Sequence, residues 1–236
     1  MRHLTGTALI AAAALALTGC TIDIDSAGPV EHLQKSIDLD KSAQAKVEIK
    51  MGAGELRVDG GSAKLMDADF EYTSALAKPE VRFVSGDAES ALTIEQPSGI
   101  HGSSKSSYKW EVRLNDKKPL EVVTHLGAGQ AHLNLGALNL RGVEVHMGVG
   151  QVDVDLRGNP SKDYNVEVHG GIGQATIHVP STVGIIANAS GGIGHIEGHG
   201  LENRNGRWIN AGHENAPVTI HLDIKGGIGN ITLTAE

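Results

Sequence analysis

An all-β fold is predicted for this chain: a single-stranded parallel β-helix, or β-solenoid, with about 20–23 residues per coil and a Gly-X-Gly corner in each. Three observations predict it. First, one phrase recurs: polar, X, Gly, aliphatic, Gly, polar, aliphatic. It reads His125-Leu126-Gly127-Ala128-Gly129-Gln130-Ala131, then His146-Met147-Gly148-Val149-Gly150-Gln151-Val152, then His169-Gly170-Gly171-Ile172-Gly173-Gln174-Ala175. Further copies carry Gly192 and Gly194, Gly227 and Gly229, and, early in the chain, Gly52 and Gly54. Second, the spacing is short: from Gly127 the steps are 21 residues to Gly148, 23 to Gly171, 21 to Gly192 and 35 to Gly227. A strand–helix–strand unit needs roughly thirty residues or more, so these repeats leave no room for a crossover helix. Third, aliphatics alternate on both sides of the phrase (Val143, Val145, Met147; then Val152, Val154, Leu156) with a change of parity across the glycines. Period two means strands with one buried face, and the parity change makes Gly-X-Gly a corner.

From the start of the chain, Met1-Arg2-His3 is a short basic head and residues 4–17 are mostly apolar, too short for a membrane-spanning helix of about 20 residues. With its basic flank the run reads as an export signal, residues 1–19. It ends in Leu17-Thr18-Gly19-Cys20, which resembles the lipobox of bacterial lipoproteins. That resemblance implies cleavage before Cys20, a diacylglyceryl thioether on its sulfur and acylation of the new amino terminus, a multi-chain anchor that holds stably. Cys20 is the sole cysteine, which excludes a disulfide within one molecule. Thr21, in place of an aspartate that would resemble an inner-membrane retention signal, points to the outer membrane if the cell has one and otherwise to the outer face of the plasma membrane. Residues 20–30 form a lipidated tether.

Residues 31–236 are expected to be the solenoid: irregular coils to about 120, then regular coils over 121–236, interrupted by an insertion at 201–217. In the irregular part Ser36 to Asp40, Ala45 to Met51, Phe70 to Tyr72, Val81 to Val84, Ala91 to Glu95 and Tyr108 to Asn115 alternate as strands. The corner phrase is missing for 73 residues between Gly54 and Gly127, so these coils are diverged or closed differently. The insertion carries Trp208, one of two tryptophans, expected to pack on the solenoid as a cap or side loop, with a ligand platform as the alternative. The chain ends just after its last strand, so the final coil is expected to need cover against edge pairing.

Stacked coils should place equivalent residues in columns. Gln130, Gln151 and Gln174 are expected to form an amide ladder. His125, His146 and His169 should stack on one face, roughly 5 Å apart; such a ladder is either a solvated polar column or a zinc or copper site. Stacked imidazoles should also resist protonation together.

Other chemistries fail on spacing. A dinucleotide loop needs a third glycine and a helix after it, a calcium roll needs an aspartate where Ala175, Ile196 and Ile231 stand, and Gly-X-Ser-X-Gly is absent. Asp153, Asp155 and Glu197, with Glu144, Glu167 and Asp223 on another register, are the acids a glycan-active enzyme would use, but they occupy outward strand positions where charge is ordinary. Aromatic content of 3% argues against a sugar-stacking groove. After removal of the signal, with Arg2, 19 basic residues face 28 acidic ones, a net charge of −9 that opposes nucleic acid and anionic lipid as partners.

Several of these segments together resemble the toast-rack family of bacterial envelope proteins, relatives of adhesin-like β-solenoid domains. The resemblance runs over about 46–236. It rests on Val47 to Leu56, on Phe70-Glu71-Tyr72, Lys78-Pro79-Glu80-Val81 and Trp110 to Leu120, and on Leu126-Gly127-Ala128-Gly129, the Gly-Gly-Ile-Gly phrases and Ala216-Pro217-Val218. It implies an exported, right-handed solenoid without an established catalytic site, so no functional residues carry over. Related domains in envelope-stress regulators imply a sensing or interaction role. The expectation is a non-catalytic lipid-anchored envelope protein with an adhesin-like surface. It would have no cofactor beyond the diacylglycerol on Cys20, and its partners would be the membrane and an envelope protein or surface ligand. An accessory stress sensor is the alternative and a cell-wall glycan enzyme the third reading.

Overall fold

The computed structural model describes residues 29–73, 78–97 and 108–236. Cys20, the expected export signal and most of the expected tether lie outside them, as does most of the polar loop before Tyr108. Among the described residues thirteen strands join one sheet. Six of them are long: β2 (Gln44–Ser62), β7 (Leu120–Asn134), β8 (Leu140–Asp155), β9 (Tyr164–Val179), β10 (Gly184–His199) and β13 (Thr219–Ala235). Each bends at its Gly-X-Gly, and together they stack in parallel as the coils of a β-solenoid.

The predicted parity change is visible in burial. In β2, Val47, Ile49 and Met51 face inward before the corner and Leu56 and Val58 after it. The second corner glycines need their residue type twice over. Gly54, Gly129, Gly150, Gly173, Gly194 and Gly229 have φ between +129° and +148°. A Cβ on Gly173 would also lie 1.7 Å from the carbonyl oxygen of Gly150. Only glycine allows backbones to stack this closely.

The stacking order departs from the sequence order. β13 lies between β9 and β10, pairing Ile228 with Ile172 on one side and with Ile193 on the other. The final strand is therefore internal, and β10 is the edge. The side chains explain the exchange: β13 buries Ile231 and Leu233, whereas β10 offers Ile196 and Gly198 at the same register. The insertion supplies the length to step over. Its hairpin, β11 (Glu202–Arg204) and β12 (Arg207–Ile209), covers β10 at Ile186, Ala187 and Asn188. Trp208 fills the room left at Gly198, where a Cβ would meet its ring at 2.3 Å. The insertion thus packs Trp208 on β10, the fifth coil in sequence and the outermost long strand in space.

The opposite end is closed differently from a coil. β3 (Met66–Tyr72) runs antiparallel to both of its neighbours, β1 (Glu31–Ile37) and β6 (Tyr108–Asn115), and β6 joins the second limb of β2. β4 (Glu80–Val84) pairs antiparallel with β5 (Glu89–Glu95), which joins the first limb. Trp110 and Phe70 meet edge to face here, 5.3 Å apart and fully buried. A nearly buried ion pair, Lys118 Nζ to Asp40 Oδ1 at 2.5 Å, ties the loops before β7 and β2. The hydrogen bond from Lys118, with one from Ser42, holds the Asp40 carboxyl well below the usual carboxylate range.

Candidate functional site

Parallel register with like residues at like positions builds columns on the outer faces. The column two residues before the first corner glycine runs Lys50, His125, His146, His169, Lys225, Ser190 in spatial order. The three imidazoles stack, with centroids 4.8 and 5.0 Å apart and planes within 5° and 7°. Each has a carboxylate beside it. His146 Nε2 meets Glu144 Oε1 at 2.5 Å, while Glu48 stands 3.6 Å from His125 and Glu167 3.6 Å from His169. Burial, then the neighbouring His146 ring, push the His125 pKa down. The hydrogen bond from His146 holds Glu144 below its ordinary value.

Parallel rings in a flat stack aim their nitrogens the same way, so they do not converge on one ion. Among the described residues no group of three or more His, Cys, Asp or Glu side chains is arranged to hold a metal. What the stack offers is a strip of imidazole edges along a shallow groove of about 410 Å³, floored by Gly127, Gly148, Gly170 and Gly171.

On the far side of the corner, Gln130, Gln151 and Gln174 stand in register, with Gln151 Nε2 donating to Gln174 Oε1 at 3.4 Å. Asn230 follows Gln174, and His195 follows Asn230. Of the acids weighed for catalysis, Glu144, Glu167 and Asp223 stand one ladder step apart in adjacent coils, each beside its own base, at His146, His169 and Lys225. Asp153 and Glu197 share a register but are separated by Thr176 and Thr232, three ladder steps. At about 4.8 Å per step that is roughly 14 Å, beyond the 5–9.5 Å of a glycosidase pair. Most outward acids instead pair with a base two residues away on their own strand: Asp155 with Arg157 at 2.7 Å, Asp223 with Lys225 at 3.3 Å, Glu197 with His199 at 3.8 Å.

Sequence reasoning missed the residues at the apex of the corner. Between the two glycines stand, in spatial order, Ala53, Ala128, Val149, Ile172, Ile228 and Ile193. The four larger ones are exposed, at 51%, 52%, 50% and 71%. The parity of the first limb places Val149 inside with Met147, and that of the second places it outside with Gln151, so alternation alone could not choose.

Among the described residues no helix is long and apolar enough to cross a membrane. No curated protein matches the chain. A solved structure from Clostridium sporogenes ATCC 15579, provisionally named a cell adhesion protein, is similar at 29% identity and a TM-score of 0.85, over 88% of this chain and 100% of that one. Another, from Parabacteroides distasonis ATCC 8503 and provisionally named an adhesin, aligns at 12% identity and a TM-score of 0.29, over 87% and 97% of the two chains. The family model for the N-terminal domain of toast-rack matches residues 26–178, ending one residue short of the end of β9. With more than half of its length matched, this chain belongs to the toast-rack family.

Proposed function

We propose that the protein is a non-catalytic, lipid-anchored envelope protein whose solenoid displays an adhesin-like binding surface. The observation that carries this reading is the set of outward columns. Imidazoles, amides and paired charges repeat at a fixed spacing on a backbone whose inward positions in the regular coils are apolar apart from Thr124. Such a surface suits an extended or repetitive ligand, because one contact can recur at every coil. The likeness to the Clostridium sporogenes protein supports an adhesive role, and the Leu17-Thr18-Gly19-Cys20 motif supports the anchor at Cys20.

Two measurements test it. The mass of the mature protein, released from cell membranes, should equal that of residues 20–236 plus acyl chains; an unmodified Cys20 would remove the anchor. Cells lacking the protein should lose attachment to a surface or neighbouring cell. Restoration by wild type but not by a His146→Ala/Gln151→Ala/Gln174→Ala variant would tie attachment to the columns. Recovery of a specific membrane protein after crosslinking, with attachment unchanged, would replace adhesion by an accessory sensing role. The histidine stack is read as part of the display surface. Stoichiometric zinc or copper by elemental mass spectrometry, lost in a His125→Ala/His146→Ala/His169→Ala variant, would make it a metal centre instead.

A further inference from the structure

The corner apex has a composition that display of polar columns does not explain. Val149, Ile172, Ile228 and Ile193 follow one another in register, each at least half exposed. A glycine stands on both sides of each in the chain, so nothing shields them laterally. They form a thin fin along the stack, growing from Ala53 and Ala128 at one end to three isoleucines at the other. Its shoulders are mostly uncharged: Gln151, Gln174, Asn230 and His195 on one flank, His146, His169 and Ser190 on the other, with Lys225 the one charge. The acids lie farther back, at Glu144, Glu167 and Asp223, and the last two sit beside His169 and Lys225.

We propose that this fin inserts into the interfacial layer of the lipid bilayer to which the protein is tethered. The inference rests on the lipid anchor proposed above. The chain outside the structure argues for this occupant: residues 20–28 between the anchor and the described body reach at most about 30 Å at 3.3–3.6 Å per residue. The body is therefore confined close to the membrane surface, where even weak insertion is favoured by effective concentration. A second copy is the poorer occupant. Four half-exposed aliphatic side chains fall short of the roughly 800 Å² per partner of a standard protein interface. The backbone of the fin also suits lipid. Its apex residues lie within the interstrand ladder, so entry into an apolar layer strands few unpaired amides. A fin with one charged shoulder does not depend on anionic lipid, in keeping with the acidity of the chain.

The test uses the mature protein purified from membranes and reconstituted into phosphatidylcholine vesicles carrying brominated acyl chains. Bromine quenches tryptophan that enters the bilayer. Ile172→Trp and Ile228→Trp should each add emission that is blue-shifted and strongly quenched. Val84→Trp, an exposed aliphatic position on β4 away from the corner, should add emission that is neither. Equal, water-like emission from all three positions in a protein whose mass shows acylation would overturn the fin. If the mass shows no acylation, the anchor fails by itself. The same spectra on chain coupled through Cys20 to a maleimide lipid then decide the fin: quenching at 172 and 228 supports it, and water-like emission there overturns it.

Discussion

The corners of β8 and β9 are neighbours in the stack, share the same glycines, and are built on different interiors. Beneath the first, Met147 continues a buried column from Met51 and Leu126. Beneath the second the column stops: Gly170, Gly226 and Gly191 occupy the same register, leaving an apolar void of about 60 Å³ edged by Met147, Ala175, Ile196 and Ile231. The bend is nevertheless the same. Turning is therefore a property of the two backbone-stacked glycines, and filling the corner is a separate contribution to stability that the later coils forgo.

That separation breaks first at the turning glycines. Gly173→Ala would press a Cβ to 1.7 Å from the Gly150 carbonyl while holding an L-residue at φ +145°. Expected is a loss of about 4 kcal/mol or failure to fold, in the exceptional range reserved for a strained or clashing backbone. Urea unfolding followed by circular dichroism measures it, and a loss below about 1 kcal/mol would mean that the corner relaxes and the turn is not glycine's doing.

Filling comes next. Met147→Ala removes a buried side chain at the margin of the void and should cost about 3 kcal/mol, since the enlarged hollow has little with which to collapse. Trp208→Ala tests the other hollow, at Gly198. It should cost about 2 kcal/mol, less because the indole is only partly buried and closes the end of the core rather than its centre. Gly170→Ala reverses the sign. A Cβ there meets nothing within 4 Å and the backbone is ordinary, so the change should stabilise by about 0.5 kcal/mol through the unfolded chain. Three residues apart, Gly170 and Gly173 should thus differ by several kcal/mol under the same substitution.

Much of this frame was legible beforehand, for a physical reason. The corner needs glycine at two fixed places and the limbs need period two, so the coil is printed in the chain; the glycine pairs and the histidine and glutamine columns lie where the spacing put them. Strand order was not legible. Nothing local distinguishes a coil that follows its predecessor from one that skips a place, and the signal was a single missing side chain, Gly198 where Leu233 and Ile177 are buried. The antiparallel closure by β1, β3 and β6 was equally hidden, because alternation is identical in strands of either direction. The fin was obscured by its place at the point where parity changes.

The smallest effect separates the ends of the histidine stack. Burial and the adjoining ring lower the His125 pKa from its ordinary 6.5, so the folded state disfavours the charged form. A group depressed on folding contributes stability above the unfolded value and loses it as pH falls through 6.5 toward the folded one. Glu144, held below its ordinary 4.5 chiefly by His146, adds a loss in a lower window, below about pH 4.5. Thermal unfolding at pH 8, 6 and 5, and again below 4.5, should therefore show a modest fall in Tm before the carboxylates titrate and a further fall after. His125→Gln should flatten that first fall while leaving the drop below pH 4.5 in place. A His125→Gln profile parallel to wild type from pH 8 to 5 would show that His125 gains its proton without cost to the fold.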